Sequence, residues 1–167
     1  VDSRELALLP CGMWHYNVVV PTDHPLQAIG QGVTLSDLLT YPLITYEFAL
    51  EARAVITQTF KKAGLGFSVA LSAMDSDVIK NFVRLNLGVG LLENIAYEEK
   101  QDGDLCFMDA AHIFPSMPMQ IIIRKDCYLR GFAYQFIELF APELTREKVE
   151  QMLYTPPEVY VLDDYMI

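Results

Sequence analysis

The sequence predicts an α/β fold built on a mostly parallel sheet. Strand and helix periods alternate from residue 42 to 92, as they do in βαβ units. Val18-Val19-Val20 is a continuous β-branched run, the mark of a strand buried on both faces. The stretch from Asp75 to Leu92 reads as a capped helix, a glycine stop and a short buried strand. Right-handed crossovers gather helix starts at the carboxyl ends of such strands. The helix that opens at Asp75 is therefore expected to face a ligand crevice.

The other elements follow in order. Leu6 to Leu9 and Trp14 to Val20 read as strands around a break at Pro10-Cys11-Gly12. Pro21-Thr22-Asp23-His24-Pro25 ends the second, because two prolines in five residues cannot continue a ladder. Thr34 caps a short helix, with Asp37 at the capping-box position. Leu43 to Tyr46 is a short strand. Residues 51–63 have helical spacing, with Val55, Ile56, Thr59, Phe60 and Ala63 on one face and Gly64 as a left-handed cap. Phe67 to Leu71 alternates as a strand does, and strands are also expected at 105–108 and from Met119 to Ile123. Arg130 to Phe140 is an amphipathic helix whose stripe Phe132, Phe136 and Phe140 is expected to be core. Thr145 to Leu153 is a last helix. Past Pro156-Pro157 the tail has no period and is expected to be mobile or to act as a docking strip.

Composition narrows the function classes. The chain has 167 residues, 52% of them hydrophobic, so a substantial core is expected. Its formal charge of −10 repels phosphate backbones and argues against a nucleic-acid grip by these residues. No apolar run is long enough to span a bilayer. Val1 to Glu5 has neither the basic region nor the apolar core of a signal peptide. With no initiator methionine, the chain reads as a segment of a longer protein. Cys11, Cys106 and Cys127 have no metal spacing and suit small buried hydrophobes in a reducing cytoplasm.

Candidate chemistry is sparse. Asp75, Ser76 and Asp77 open a helix, where plain capping and dipole complementation compete with a role at a pocket mouth. Glu47-Phe48-Ala49-Leu50 follows a strand and has the place of a ligand rim. Glu51 and Arg53 are expected in the first turn of the next helix, where Glu51 works against anion binding. Trp14, the single tryptophan, is a core aromatic or a pocket wall. His15, His24 and His112 have no ligand spacing, so no metal is expected. No Gly-x-Ser-x-Gly, P-loop or GxGxxG is present, and neither a cofactor nor a catalytic residue is expected. Asp75, Asp77 and Glu51 are what an acid/base enzyme would have to use.

Several segments in register resemble the effector-sensing domain of LysR-type transcriptional regulators, in the CysB-like branch. They are Leu9-Pro10-Cys11 with Trp14, Asp23-His24-Pro25-Leu26 and Tyr41-Pro42-Leu43-Ile44-Thr45-Tyr46. Asp75-x-Asp77-Val78-Ile79-Lys80 with Val83-Arg84-Leu85, Asp109-Ala110-x-x-Ile113-Phe114 and Phe140-Ala141-Pro142-x-Leu144-Thr145-Arg146 complete the set. The likeness runs over residues 6–150. It implies two periplasmic-binding-protein-like α/β lobes joined by crossing strands, with the effector in the cleft. Residues 1–12 would be a crossover strand from the first lobe and 13–117 the complete second lobe. Residues 118–152 would be the returning part of the first lobe, and 153–167 a C-terminal tail. DNA would be bound by a winged helix-turn-helix outside this chain. The resemblance also implies a cytoplasmic homodimer or homotetramer with no membrane contact.

On this sequence the resemblance points to Trp14, Thr45, Glu47, Phe48, Glu51, Met74, Asp75 and Ser76 as ligand-binding. Trp14 matches a cleft tryptophan, and Ser76 with its neighbours matches a helix start near the cleft. Glu47 and Glu51 stand where the branch carries threonines. A carboxylate there repels a sulfate-like anion by on the order of a kcal/mol or more in a partly dry cleft, and it suits an ammonium group. The effectors implied are O-acetylserine, N-acetylserine and sulfate-type anions. A stand-alone solute-binding module and a small α/β enzyme are the other two classes left open.

Overall fold

A computed structural model describes residues 5–154. The described residues divide into two compact units, 5–13 with 117–154, and Trp14–Ser116.

The larger unit is a five-stranded sheet in the order β4-β3-β5-β2-β6. Its strands are β2 (Tyr16–Pro21), β3 (Leu43–Tyr46), β4 (Val69–Ala73), β5 (Val89–Glu93) and β6 (Leu105–Asp109). β3 pairs parallel with β4 and β5, while β2 pairs antiparallel with β5 and β6. The sheet is therefore mixed, with β3, β4 and β5 parallel as expected from residues 42–92 and β2 antiparallel to its neighbours. β2 arrives directly from the preceding strand with no helical crossover, and it alone runs against the other four. Tyr16 to Pro21 is buried throughout, as its unbroken apolar run requires. Leu43 to Tyr46 is buried likewise.

Three helices attach to this sheet: α1 (Leu35–Leu38), α2 (Val55–Lys62) and α3 (Ser76–Arg84). Thr34 and Asp37 form the expected capping box, each side chain bonding the other's backbone amide. α2 starts four residues later than its spacing suggests. Glu51 leaves a 3-10 turn, Phe48–Leu50, in extended conformation, and Ala54 caps α2 without a side-chain bond. Residues 51–54 offer no capping oxygen ahead of the apolar face, so the helix begins where that face begins. β4 also lies two residues later than expected, and Phe67 instead stacks on Phe60 at 4.4 Å. After α3, Asn86 takes the left-handed conformation (φ 55°). Gly88 has a different purpose: a Cβ there would lie 2.3 Å from the Pro42 carbonyl oxygen, so only glycine lets β5 approach β3.

The smaller unit pairs β1 (Leu6–Trp14, its residues up to Met13) with β7 (Met117–Arg124) in a two-stranded sheet, with α4 (Gly131–Phe140) and α5 (Arg146–Tyr154). β1 does not break at Pro10-Cys11-Gly12. Pro10 is exposed, and β1 has a single partner among the described residues, an arrangement that tolerates a residue lacking an amide hydrogen. Ala7, Leu9 and Cys11 form a small core with Tyr134 and Ile137 of α4 and Val149 and Leu153 of α5. The phenylalanine stripe is not core here: Phe132, Phe136 and Phe140 are exposed. Cys127 is exposed too, against the expectation of buried thiols, while Cys11 is buried and Cys106 half-buried. The tail expected to be mobile or a docking strip, residues 155–167, lies outside the described residues.

Candidate functional site

The carboxyl ends of β3 and β5 meet the start of α3 in the larger unit. β3 ends at Tyr46, which is buried and pairs with Ala73, the last residue of β4. The β3–β4 ladder extends one step further, where the Glu47 amide donates to the Ala73 carbonyl at 3.1 Å. β5 ends at Glu93, opposite Tyr16 on β2. The Tyr46 hydroxyl lies in reach of the Glu93 carboxylate and the Ser76 hydroxyl. Burial, then the approach to Glu93, raise the Tyr46 phenol well above its ordinary value, while Ser76 works the other way. Burial and the Glu93 charge likewise raise Tyr16. Both phenols are therefore neutral near pH 7 and retain a proton to donate.

Two aromatic pairs flank this cluster. Phe48 stacks on Tyr46 at 4.8 Å with ring planes 16° apart. Trp14 meets Tyr16 edge-on at 5.2 Å, and Tyr16 in turn meets Phe114 at 5.7 Å. Among the expected residues, the structure thus links Ser76 and Phe48 through Tyr46, and Trp14 to Glu93 through Tyr16. Tyr46, Tyr16 and Glu93 were not singled out from sequence. Their signal was positional: Tyr46 and Glu93 each end a strand whose carboxyl end was already expected to carry the site.

The remaining expected residues fare differently. Thr45 is not available to a ligand, being fully buried with its hydroxyl donated to the Leu91 carbonyl at 2.9 Å. Glu47, Glu51 and Met74 are exposed. Glu51 is not in a helical first turn; its amide donates to the Phe48 carbonyl and its carbonyl accepts from Ala54. Asp75 is the N-cap of α3 and accepts from the Asp77 and Val78 amides at 2.8 and 3.3 Å. Asp77 bonds Lys80 at 2.9 Å. Both acids bond within the helix itself.

A charged network anchors α3. Lys80, 2% exposed, bonds Asp102, 0% exposed, at 3.1 Å and the Ala96 carbonyl at 3.1 Å. Asp102 also accepts from Arg84 and from the Glu98 amide, both at 2.8 Å. Burial alone would raise the Asp102 carboxyl, but the Glu98 amide, Lys80 and Arg84 together hold it below its usual range. Burial opposes the Lys80 ammonium, and Asp77 and Asp102 hold its pKa above the ordinary lysine value.

No group of histidine, cysteine or carboxylate side chains that could hold a metal occurs among the described residues. Two hollows lie elsewhere in this unit. One of about 420 Å³ is lined by Tyr41, Leu43 and Phe67 among others, at the opposite end of β3. The other, of about 260 Å³, is lined by Gln31, Asp109, Ala111 and His112. Neither contains a residue of the Tyr46 cluster.

The family model described as "LysR substrate binding domain" matches residues 1–145. The chain belongs to that family. LysR substrate-binding domains are two-lobed α/β domains like the periplasmic binding proteins, and the mixed helix-and-sheet architecture described above agrees with that class. Among curated proteins the chain is similar to the HTH-type transcriptional regulator CysB of Burkholderia cenocepacia, at 42% identity over 96% of this chain and 51% of that protein. It is also similar to SsuR, an HTH-type transcriptional regulator of the same organism, at 38% identity over 89% of this chain and 48% of that protein. Among solved structures it is similar to the cofactor-binding domain of the Cbl transcriptional regulator, at 32% identity and a TM-score of 0.78, covering 92% of this chain and 68% of that one. The chain therefore spans about half the length of the curated relatives it matches. These relatives carry the names of transcriptional regulators and not of enzymes. No helix among the described residues is long and apolar enough to cross a membrane.

Proposed function

We propose that this chain is the effector-sensing part of a CysB-like transcriptional regulator and that the Tyr46–Ser76–Glu93 cluster is its effector-binding wall. The observation that carries the reading is the convergence of β3, β5 and α3 on that cluster, at the strand ends where α/β folds hold ligands. Trp14, Glu47, Phe48, Glu51 and Met74 would rim the wall, and Asp75 would hold Ser76 in place by capping α3. The opposite wall would come from polypeptide outside this chain.

The effector would be a small sulfur- or amino-acid-related metabolite such as O-acetylserine, N-acetylserine or a sulfate-like anion. The neutral phenol of Tyr46 and the Ser76 hydroxyl suit a carboxylate or ester oxygen, and the glutamates suit an ammonium group. Binding would shift the regulator between two arrangements according to the effector's affinity for each. DNA would be held by a winged helix-turn-helix outside this chain, in a cytoplasmic homodimer or homotetramer.

The test is a thermal-shift panel of those three compounds on the intact regulator, repeated with Trp14 emission as readout. The reading expects at least one compound to raise the melting midpoint and change the emission in a saturable way. No response to any of them, with emission unchanged, would remove the effector class proposed here.

A further inference from the structure

We infer that Glu93 reads the charge of the effector, selecting a ligand with a free ammonium group over the same ligand with its amine blocked and over an inorganic anion. The inference rests on the effector-wall reading above and adds to it one selecting side chain and one ligand charge.

Glu93 ends β5 and is half-buried, whereas the four residues before it are buried. In the sheet order β5 lies between β3 and β2. On the β2 side Glu93 is directly opposite Tyr16, and opposed residues send their side chains to one face of a sheet. On the β3 side the Tyr46 hydroxyl reaches the Glu93 carboxylate. One carboxylate thus stands between two tyrosines from the flanking strands. A phenol has one proton to give, and a carboxylate has about four lone-pair sites, so Tyr46 leaves most of its acceptor capacity unused. None of the ion pairs among the described residues includes Glu93. His15, whose backbone bonds Asn94 next to Glu93, holds Asp109 at 3.6 Å instead. A partly desolvated carboxylate attracts a cation more strongly than a fully hydrated one does.

The rings beside Glu93 suit the same charge. Phe48 stacks on Tyr46 at 4.8 Å, and Trp14 meets Tyr16 at 5.2 Å. Aromatic faces attract cations and repel anions, so a carboxylate between aromatic walls is a seat for an ammonium group. An anion has less to hold it. Its natural seat would be the start of α3, but Asp75 already accepts the Asp77 and Val78 amides there, at 2.8 and 3.3 Å. A sulfate in that place would face the Asp75 and Glu93 carboxylates together.

A pair of isomers supplies the test. O-acetylserine and N-acetylserine contain the same atoms, but only the first carries an ammonium group. Calorimetry on the intact regulator measures both, with sulfate as the third probe, in mildly acidic buffer where the acyl group does not migrate from oxygen to nitrogen. The wild type should bind O-acetylserine about tenfold or more tighter than N-acetylserine or sulfate. Glu93→Gln keeps the size of the side chain and an acceptor for Tyr46 and removes the charge. It should weaken O-acetylserine roughly tenfold and leave N-acetylserine within about twofold. Glu93→Ala removes the same charge with less bulk and serves where the glutamine disturbs the fold. Suppose that Ser76→Tyr blocks binding, but the wild type does not discriminate between the isomers, or both charge-removing variants keep the preference. Either result would overturn this inference and leave the effector wall standing. Binding of O-acetylserine untouched by Ser76→Tyr, or no heat from any of the three probes, would overturn the wall and this inference with it.

Discussion

Removing Asp102 and removing Lys80 should have unequal effects. Asp102 is fully buried and accepts three donors: Lys80, Arg84 and the Glu98 amide. Asp102→Ala strands the Lys80 ammonium in the interior and leaves the Glu98 amide without its acceptor. Deleting one partner of a buried pair costs about 3–5 kcal/mol. Lys80 keeps the Ala96 carbonyl and the exposed Asp77, which puts the expected loss near the lower limit, about 3 kcal/mol. Lys80→Met replaces a buried charge with an apolar chain of similar length, and Asp102 still holds Arg84 and the Glu98 amide. Its cost should be no more than about 1 kcal/mol. Urea unfolding followed by Trp14 emission reads both, because Trp14 lies in the same unit. The pH dependence has a definite sign. The folded-state pKa of Asp102 is depressed, so its contribution is fully present above the ordinary carboxylate value of about 4 and is lost as pH falls through the folded value. The gap between wild type and Asp102→Ala should therefore narrow below about pH 4. Equal costs for the two variants, or a gap that widens in acid, would refute this account of the network.

Other substitutions test separate features. Gly88→Ala should destabilise by about 2–3 kcal/mol in denaturant titration, because its Cβ would meet the Pro42 carbonyl at 2.3 Å and backbone cannot yield as a side chain can. Thr45→Val should cost about 1 kcal/mol through the lost bond to Leu91 and leave effector affinity unchanged, since Thr45 is fully buried. Glu51→Thr should strengthen binding of sulfate to the intact regulator by roughly fivefold in calorimetry, the equivalent of about 1 kcal/mol of removed repulsion.

Local signals in the sequence were read well where one short stretch decides the outcome. The Thr34–Asp37 box and the Asp75 cap each need only a side chain and the next turn's amides. The Val18 to Val20 run needs only its own composition. What depended on distant partners was not legible. The direction of β2 follows from which strands flank it, and Pro10 is tolerated in β1 because β7 is its single partner among the described residues. Gly88 looked like a helix stop, but its neighbour across the sheet is Pro42, 46 positions earlier in the chain. The phenylalanine stripe of α4 shows a further limit: period reports that a face is apolar and not whether that face is buried. Of the residues expected at the site from sequence and family resemblance, Ser76 and Phe48 lie beside Tyr46 and Trp14 beside Tyr16. Tyr46, Tyr16 and Glu93, which tie them together, were passed over because a tyrosine or glutamate at a strand end carries no motif. Thr45, also expected at the site, is fully buried, and strand alternation alone does not say that its hydroxyl already has an acceptor on β5.

The most direct test of the proposed effector wall is the dissociation constant of an effector for the intact regulator carrying Ser76→Tyr, measured by calorimetry with Tyr46→Phe alongside. A bulky ring at the start of α3 should fill the space beside Tyr46 and weaken binding at least tenfold, and loss of the Tyr46 hydroxyl should weaken it several-fold. Unchanged affinity in both variants, with the fold intact, would mean that the effector is bound elsewhere.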